Sequence, residues 1–244
     1  LQAAMAFAAQ NFFENTGPTG QRALASLEAK LRTKATAGLP ADVAVRSEDY
    51  GRAVAKHILA WSQDDGGAVI ENMGFPLQYE LTKGAANWVP TGLAAQQQTP
   101  LLPNWGKNRT FAMPSGATCD LPPPPAYSED KTSEFYKQAI EVVETQQNIS
   151  TEHRAIARFC ADDAMLSPTP PGHWIAIVLQ IAERDGLTVD RTAEAFARTG
   201  IAVADAFIAC WRDKFVFNLV RPVTYIRKHI DPKFEPLLIT PPFP

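Results

Sequence analysis

The chain has 244 residues, enough to bury a sizeable core as one large domain or two small ones. Hydrophobic residues make up 45% and charged residues 20%, the profile of a globular protein, and no apolar run approaches the length that spans a bilayer. A net charge of −3 gives no general attraction to nucleic acid or to an anionic membrane surface.

Residues 1–63 read as helices separated by Gly17-Pro18-Thr19-Gly20 and Gly38-Leu39-Pro40. In the third of them Tyr50, Val54, Ile58 and Trp61 fall at helical steps, which predicts a buried stripe. Residues 64–130 carry many breakers, among them Asp65-Gly66-Gly67, Pro90, Pro100, Pro103, Pro114 and the run Pro122 to Pro125. They predict a long, mostly extended loop that wraps a helical body. It is not a disordered linker by composition, because Trp88, Trp105, Phe111 and Met113 need somewhere to pack. Helices return over 131–244, with Thr132 or Ser133, Ser150 or Thr151, and Thr188 as candidate caps. No internal repeat and no alternating strand pattern is present, so the expected class is all-α, a helical bundle.

Cys119, Cys160 and Cys210 are isolated and lack metal-ligand spacing. Cys210 is expected to pack as a small buried hydrophobe beside the core helix, and a single disulfide stays open. Asn108-Arg109-Thr110 and Asn148-Ile149-Ser150 fit the glycosylation sequon, which matters only in a eukaryotic secretory setting. The chain starts at Leu1 without a signal-peptide pattern and reads as a processed, trimmed or partial polypeptide.

The most informative stretch is Ala193 to Pro222. Ala193, Phe196, Ala197, Gly200, Ala204, Phe207, Ile208 and Trp211 recur every three or four residues, with Phe196/Ala197 and Phe207/Ile208 side by side, the buried stripe of an amphipathic helix. Continued in phase, Lys214, Asn218 and Arg221 fall next, and Lys214 and Arg221 would project in nearly the same direction. Two cations facing a core with no acid on their stripe are costly unless an anion neutralises them. The alternatives are that their heads reach water along apolar surface, or that the helix ends near Lys214 and the phase lapses.

Lys214-Phe215-Val216-Phe217-Asn218-Leu219-Val220-Arg221-Pro222 reads K-x6-R-P and resembles the first signature of the vanadium-dependent haloperoxidases. Their superfamily includes the type 2 phosphatidic acid phosphatases and bacterial acid phosphatases. Trp88-Val89-Pro90-Thr91-Gly92, Asn104-Trp105-Gly106, Ile156-Ala157-Arg158-Phe159, Pro171-Gly172-His173-Trp174, Ala204-Asp205-Ala206 and Arg221-Pro222-Val223-Thr224 are similar to the haloperoxidase branch. The likeness runs from about Trp88 to the C-terminus and more weakly through the N-terminal helices. Two further family motifs, P-S-G-H and S-R-x5-H-x3-D, do not occur in these residues.

The resemblance implies an incomplete haloperoxidase-type bundle, residues 1–244 forming the N-terminal portion of one domain. It implies vanadate as cofactor, with phosphate possible in its place, held by Lys214 and Arg221 and walled by Trp211. Arg221 would present a planar fork to equatorial oxygens, and Lys214 a point charge that also polarises hydrogen peroxide towards halide. The histidine that bonds vanadium is expected beyond Pro244, from a missing C-terminal half or a second chain. The implied function is halide oxidation by peroxide, with the 244-residue chain alone inactive and an extracytoplasmic location. The alternatives are an acid phosphatase hydrolysing phosphate monoesters on the same scaffold, or a helical protein whose site is abandoned. Asp162 is a candidate for orienting the site's arginine and Asp163 stands beside it, while a solvated helix end is the other reading. His173 reads as a pocket-lining or a satisfied structural histidine, and His57 and His229 have no nameable partner.

Overall fold

The computed structural model describes residues 1–68, 70–92, 98–162 and 169–244. The chain divides into two compact units, Leu1–Val69 and Ile70–Pro244.

The first unit is three helices, α1 (Gln2–Phe12), α2 (Pro18–Thr36) and α3 (Ala41–Ser62). Pro18 opens α2 at a position whose N–H has no helical partner, and Pro40 precedes α3 as its N-cap. α1 packs against α3. The buried residues of α3 are Gly51 and Ala55, one turn apart, rather than the predicted aromatic stripe. Tyr50 is 74% exposed, and Ile58 and Trp61 are exposed as well. Close approach explains the correction: a side-chain carbon added at Gly51 would lie 3.2 Å from both the Ala3 Cβ and the Ala4 backbone N. Small residues let the two backbones meet, and the large apolar residues fall outside that seam.

The second unit opens with the expected breaker-rich loop, interrupted by short 3-10 turns at Glu71–Gly74 and Trp105–Lys107. It continues with α4 (Glu134–Gln147), α5 (Thr151–Phe159), α6 (Thr169–Arg184), α7 (Val189–Phe217) and α8 (Pro222–His229). Ser133 and Ser150 are the true caps: the hydroxyl of each accepts an N–H of the first turn, from Tyr136 at 3.2 Å and from His153 at 3.0 Å. Thr188 holds the N-cap position of α7 without a side-chain bond to it. No strand forms among the described residues, and the fold is all-helical as the sequence predicts.

α4 and α8 close the apolar core, Ala139 and Val143 meeting Val223, Tyr225, Ile226 and Phe234. Tyr225 stands its ring edge-on to Phe135 and Tyr127, with its hydroxyl donating to the Ser128 carbonyl at 2.6 Å. α7 is the long element on which α6 and the Trp105–Lys107 turn pack. Trp105 meets Phe207 edge-on at 6.1 Å, and Gly106 lies directly on the α7 backbone. A side-chain carbon at Gly106 would sit 2.5 Å from the Arg212 backbone N, where nothing flexible can yield. Overpacking of this kind costs about 1–3 kcal/mol or more. We therefore expect Gly106→Val to lower the thermal unfolding midpoint by several degrees, roughly 2–4 °C per kcal/mol at this size. An unchanged midpoint would show that the turn does not bear on α7.

Candidate functional site

The site is built where α7 stops. Arg221 precedes Pro222, and a residue before proline is pushed out of the helical region, while proline itself has no N–H to continue the ladder. Arg221 is accordingly extended (φ −69°, ψ 144°) and caps α8. Asn218 turns left-handed (φ 43°, ψ 43°) as the C-cap of α7, its N–H donating to the Lys214 carbonyl at 2.9 Å. This corrects the single-helix phase that would place Lys214 and Arg221 on one stripe: they stand on two helices across a break. The linker is fixed by the preceding loop. The Trp88 N–H donates to the Asn218 carbonyl at 2.9 Å, the Val220 N–H to the Ala86 carbonyl at 2.8 Å, and Asn87 faces Leu219 across an antiparallel bridge. Trp88, 1% exposed, anchors that segment, which gives the likeness at Trp88 a structural role.

The two cations nevertheless converge. Lys214 Nζ donates to the Pro244 carbonyl at 3.2 Å. Arg221 donates through Nε to the Phe243 carbonyl at 2.9 Å and through Nη2 to the Pro244 carbonyl at 3.4 Å. The Phe243 ring lies between them, 5.0 Å from Lys214 Nζ and 5.3 Å from the guanidinium carbon. Both side chains are half-buried. Burial pulls Lys214 below the usual lysine value; Cys210 offsets part of this, and the charge of Arg221 lowers it further. Burial likewise lowers Arg221. Among the described residues no Asp or Glu is recorded in an ion pair with either cation, and backbone oxygens are their hydrogen-bond partners.

Trp211 stands where the sequence puts it, one turn before Lys214 and 6% exposed. Its ring packs at 4.1 Å from Phe207 and 4.8 Å from Phe243, with Lys214 Nζ 5.9 Å from its centre. The indole N–H donates to the Leu101 carbonyl at 3.1 Å, and the Leu101 N–H to the Pro242 carbonyl at 2.8 Å. Elsewhere the predicted stripe holds at Ile208, while Ala197 and Gly200 are exposed.

Sequence reasoning missed Asp205 as more than a point of likeness. It is 4% exposed, and its carboxylate accepts the backbone N–H groups of Phe111, Ala112 and Met113 at 2.7, 2.8 and 2.9 Å. Burial alone would raise its pKa, but the three amides outweigh it and hold the carboxyl below the usual aspartate value. An acid one position off an apolar stripe is the only sequence signal of this clamp. His229, left without a partner above, has its Nε2 3.2 Å from the Tyr127 hydroxyl, which donates to Glu129 at 2.8 Å. His173 is half-exposed and pairs through Nδ1 with Asp162 at 2.7 Å, so Asp162 orients a histidine and no recorded contact takes it to Arg221. Asp163 lies outside the described residues. His57 is exposed. The cysteines are free thiols, and Cys210 is exposed rather than buried because it sits on the side of α7 away from Ile208 and Trp211.

Comparison with known proteins agrees with this architecture. The family described as the VCPO second helical-bundle domain matches residues 194–236, which hold α7 from its first turns, the break and α8. Among solved structures, the crystal structure of the first bacterial vanadium-dependent iodoperoxidase is similar at a TM-score of 0.83 and 33% identity. The likeness covers 99% of this chain and 59% of that one. No curated protein sequence matches.

The Asp205 clamp generates a pH-dependent expectation. A carboxyl whose folded pKa lies below its unfolded value of about 3.9 stabilises the fold above that value and ceases to do so as pH falls through the folded pKa. Asp205→Ala should cost about 3 kcal/mol near neutral pH, because three amides lose a charged acceptor. Asp205→Asn should lose less and flatten the stability profile below about pH 4. Urea unfolding midpoints from about pH 2 to 7 check this, and a parallel decline of mutant and parent would refute the clamp.

Proposed function

Because the chain belongs to the vanadium-dependent haloperoxidase family, we propose that Lys214 and Arg221 are the cationic part of a vanadate cradle. The reaction proposed is oxidation of halide by hydrogen peroxide. The observation that supports this reading is the convergence of two half-buried cations on backbone oxygens with no Asp or Glu recorded between them. Carbonyl oxygens already lie within hydrogen-bond reach of both, so the donors fit a tetrahedral oxyanion in number and charge. Phosphate would suit the same donors, and the likeness to an iodoperoxidase favours vanadate.

Vanadate, when bound, supplies the activation of peroxide towards halide. The chain's own groups bind, orient and exclude water. Arg221 offers two N–H groups in a fixed plane, and Lys214 a compact ammonium whose attraction to an anion is stronger where water is partly excluded. An arriving anion relieves the repulsion between the two cations, which favours occupancy. Trp211 and its hydrogen bond to Leu101 keep one wall apolar and rigid.

The histidine that would bond vanadium is proposed to come from polypeptide other than residues 1–244. The chain has four histidines: His57 and His153 are exposed, His173 pairs with Asp162, and His229 with Tyr127. We therefore expect the 244-residue chain alone to bind vanadate weakly and to oxidise no halide. In a polypeptide that supplies the histidine, Lys214→Ala and Arg221→Ala should each weaken vanadate binding about tenfold or more, about 1.4 kcal/mol per tenfold. Calorimetric titration measures this, and full affinity in both variants would remove these residues from the cradle.

A further inference from the structure

The C-terminal end of α8 closes a cluster of titratable groups that the oxyanion reading does not use. Tyr127 and Glu129 come from the segment before α4, and Tyr225 and His229 from α8. The Tyr127 hydroxyl donates to Glu129 Oε1 at 2.8 Å, and His229 Nε2 lies 3.2 Å from the same hydroxyl oxygen. His229 Nε2 is also 3.5 Å from Glu129 Oε1, and its ring centre is 4.7 Å from that of Tyr225. The Tyr225 hydroxyl donates to the Ser128 carbonyl at 2.6 Å, so the two segments are joined at more than one point.

Counting protons fixes the direction of these bonds. A phenol carries one proton, and here it points at Glu129. His229 Nε2 must therefore carry a hydrogen and donate it to the phenol oxygen. Burial, and after it the bond to Glu129, pushes Tyr127 up to about 12, so the phenol keeps its proton across the neutral range. The same bond lowers Glu129 against a smaller desolvation penalty, and the charges of His229 and Lys228 lower it further. Glu129 thus stays ionised in mild acid. Imidazole is the group in the cluster that ordinarily changes charge between about pH 5 and 8. As imidazolium, His229 meets an ionised carboxylate, the face of Tyr225 and the negative end of α8, and each favours a cation. As the neutral ring it keeps its bond to Tyr127 but loses the attraction to Glu129. Lys228, 3.7 Å from Glu129, is the other cation on this carboxylate, while Arg227 is turned to Glu235 at 2.8 Å.

We propose that Tyr127, Glu129 and His229 form a pH-operated clasp that fastens the end of α8 to the 127–129 segment, tighter when His229 is protonated. Arg221 caps the opposite end of the same helix, so the clasp bears on how firmly that helix is held. The clasp does not depend on the oxyanion reading, and its test uses no anion.

Native-state amide exchange of the unmutated chain reads the clasp at Ile230 and Asp231, whose N–H groups both donate to the Ile226 carbonyl at 2.9 Å. Corrected for intrinsic exchange, their protection should fall about threefold from about pH 5.5 to 8, the scale of a partly exposed ion pair. Protection of Ala182, buried in α6, should stay level over the same range. His229→Gln and Glu129→Gln should each flatten the profile at Ile230 and Asp231, whereas Lys228→Met should keep it. A level profile in the unmutated chain overturns the proposal, and so does a fall shared equally by Ala182. A slope that survives in a folded His229→Gln, or vanishes in Lys228→Met, overturns it too. The profile of the unmutated chain tests the clasp even where a variant does not fold.

Discussion

Two like charges drawn partly out of water side by side are the constraint around which the second unit is arranged. Desolvating a lysine and an arginine disfavours their charged forms, and each makes the other less comfortable. The chain compensates with soft partners rather than an acid: carbonyl oxygens of Phe243 and Pro244, and the faces of Phe243 and Trp211. Such partners hold cations in place without cancelling their charge. A carboxylate in that position would cancel that charge. The long helix, its left-handed stop and the bridge to Ala86–Trp88 all act to keep these two groups adjacent.

The loop before α4 deserves the same reading. It is long and rich in proline, yet it is bound at three points that use three kinds of contact. Trp88 is buried as an apolar anchor, Gly106 sets backbone on backbone, and the 111–113 amides close on Asp205. Two of these grip α7 and the third grips its C-terminal linker. The loop is therefore part of the scaffold of the site, in keeping with the general observation that long ordered loops in compact proteins are functional.

Much of this was legible in the sequence, and the failures have physical causes. Helix positions followed from Pro and Gly punctuation and from Ser133 and Ser150, because capping is local chemistry written in adjacent residues. The Lys214–Arg221 pairing was visible in the spacing, though for the wrong geometric reason: periodicity ignored the strength with which Pro222 expels Arg221 from a helix. The seam of α3 was misread because pattern analysis favours large apolar residues, while close helix packing selected Gly51 and Ala55. Asp205, the Asp162–His173 pair and the Tyr127–His229 contact are long-range or loop-borne partnerships, and a single sequence holds no local sign of which residue will be met. Residue type predicts Cys210 in the interior, whereas its phase on α7, turned from Ile208 and Trp211, places it outside.

The left-handed residue at Asn218 makes sequence distance act as a ruler. Between Lys214 and Arg221 the chain must finish a turn, reverse at Asn218, pair once with the 86–88 segment and enter α8 at Pro222. Each operation consumes a fixed number of residues, and none can be shared. Side chains inside the interval can vary within the limits set by the reversal at Asn218 and the burial of Val220, but its length cannot. One residue gained or lost would shift the bridge by a step and turn Arg221 to the opposite side of the extended linker. A six-residue gap between a lysine and an Arg-Pro pair is thus a geometric quantity, and drift in this protein should proceed through substitutions there while sparing insertions and deletions.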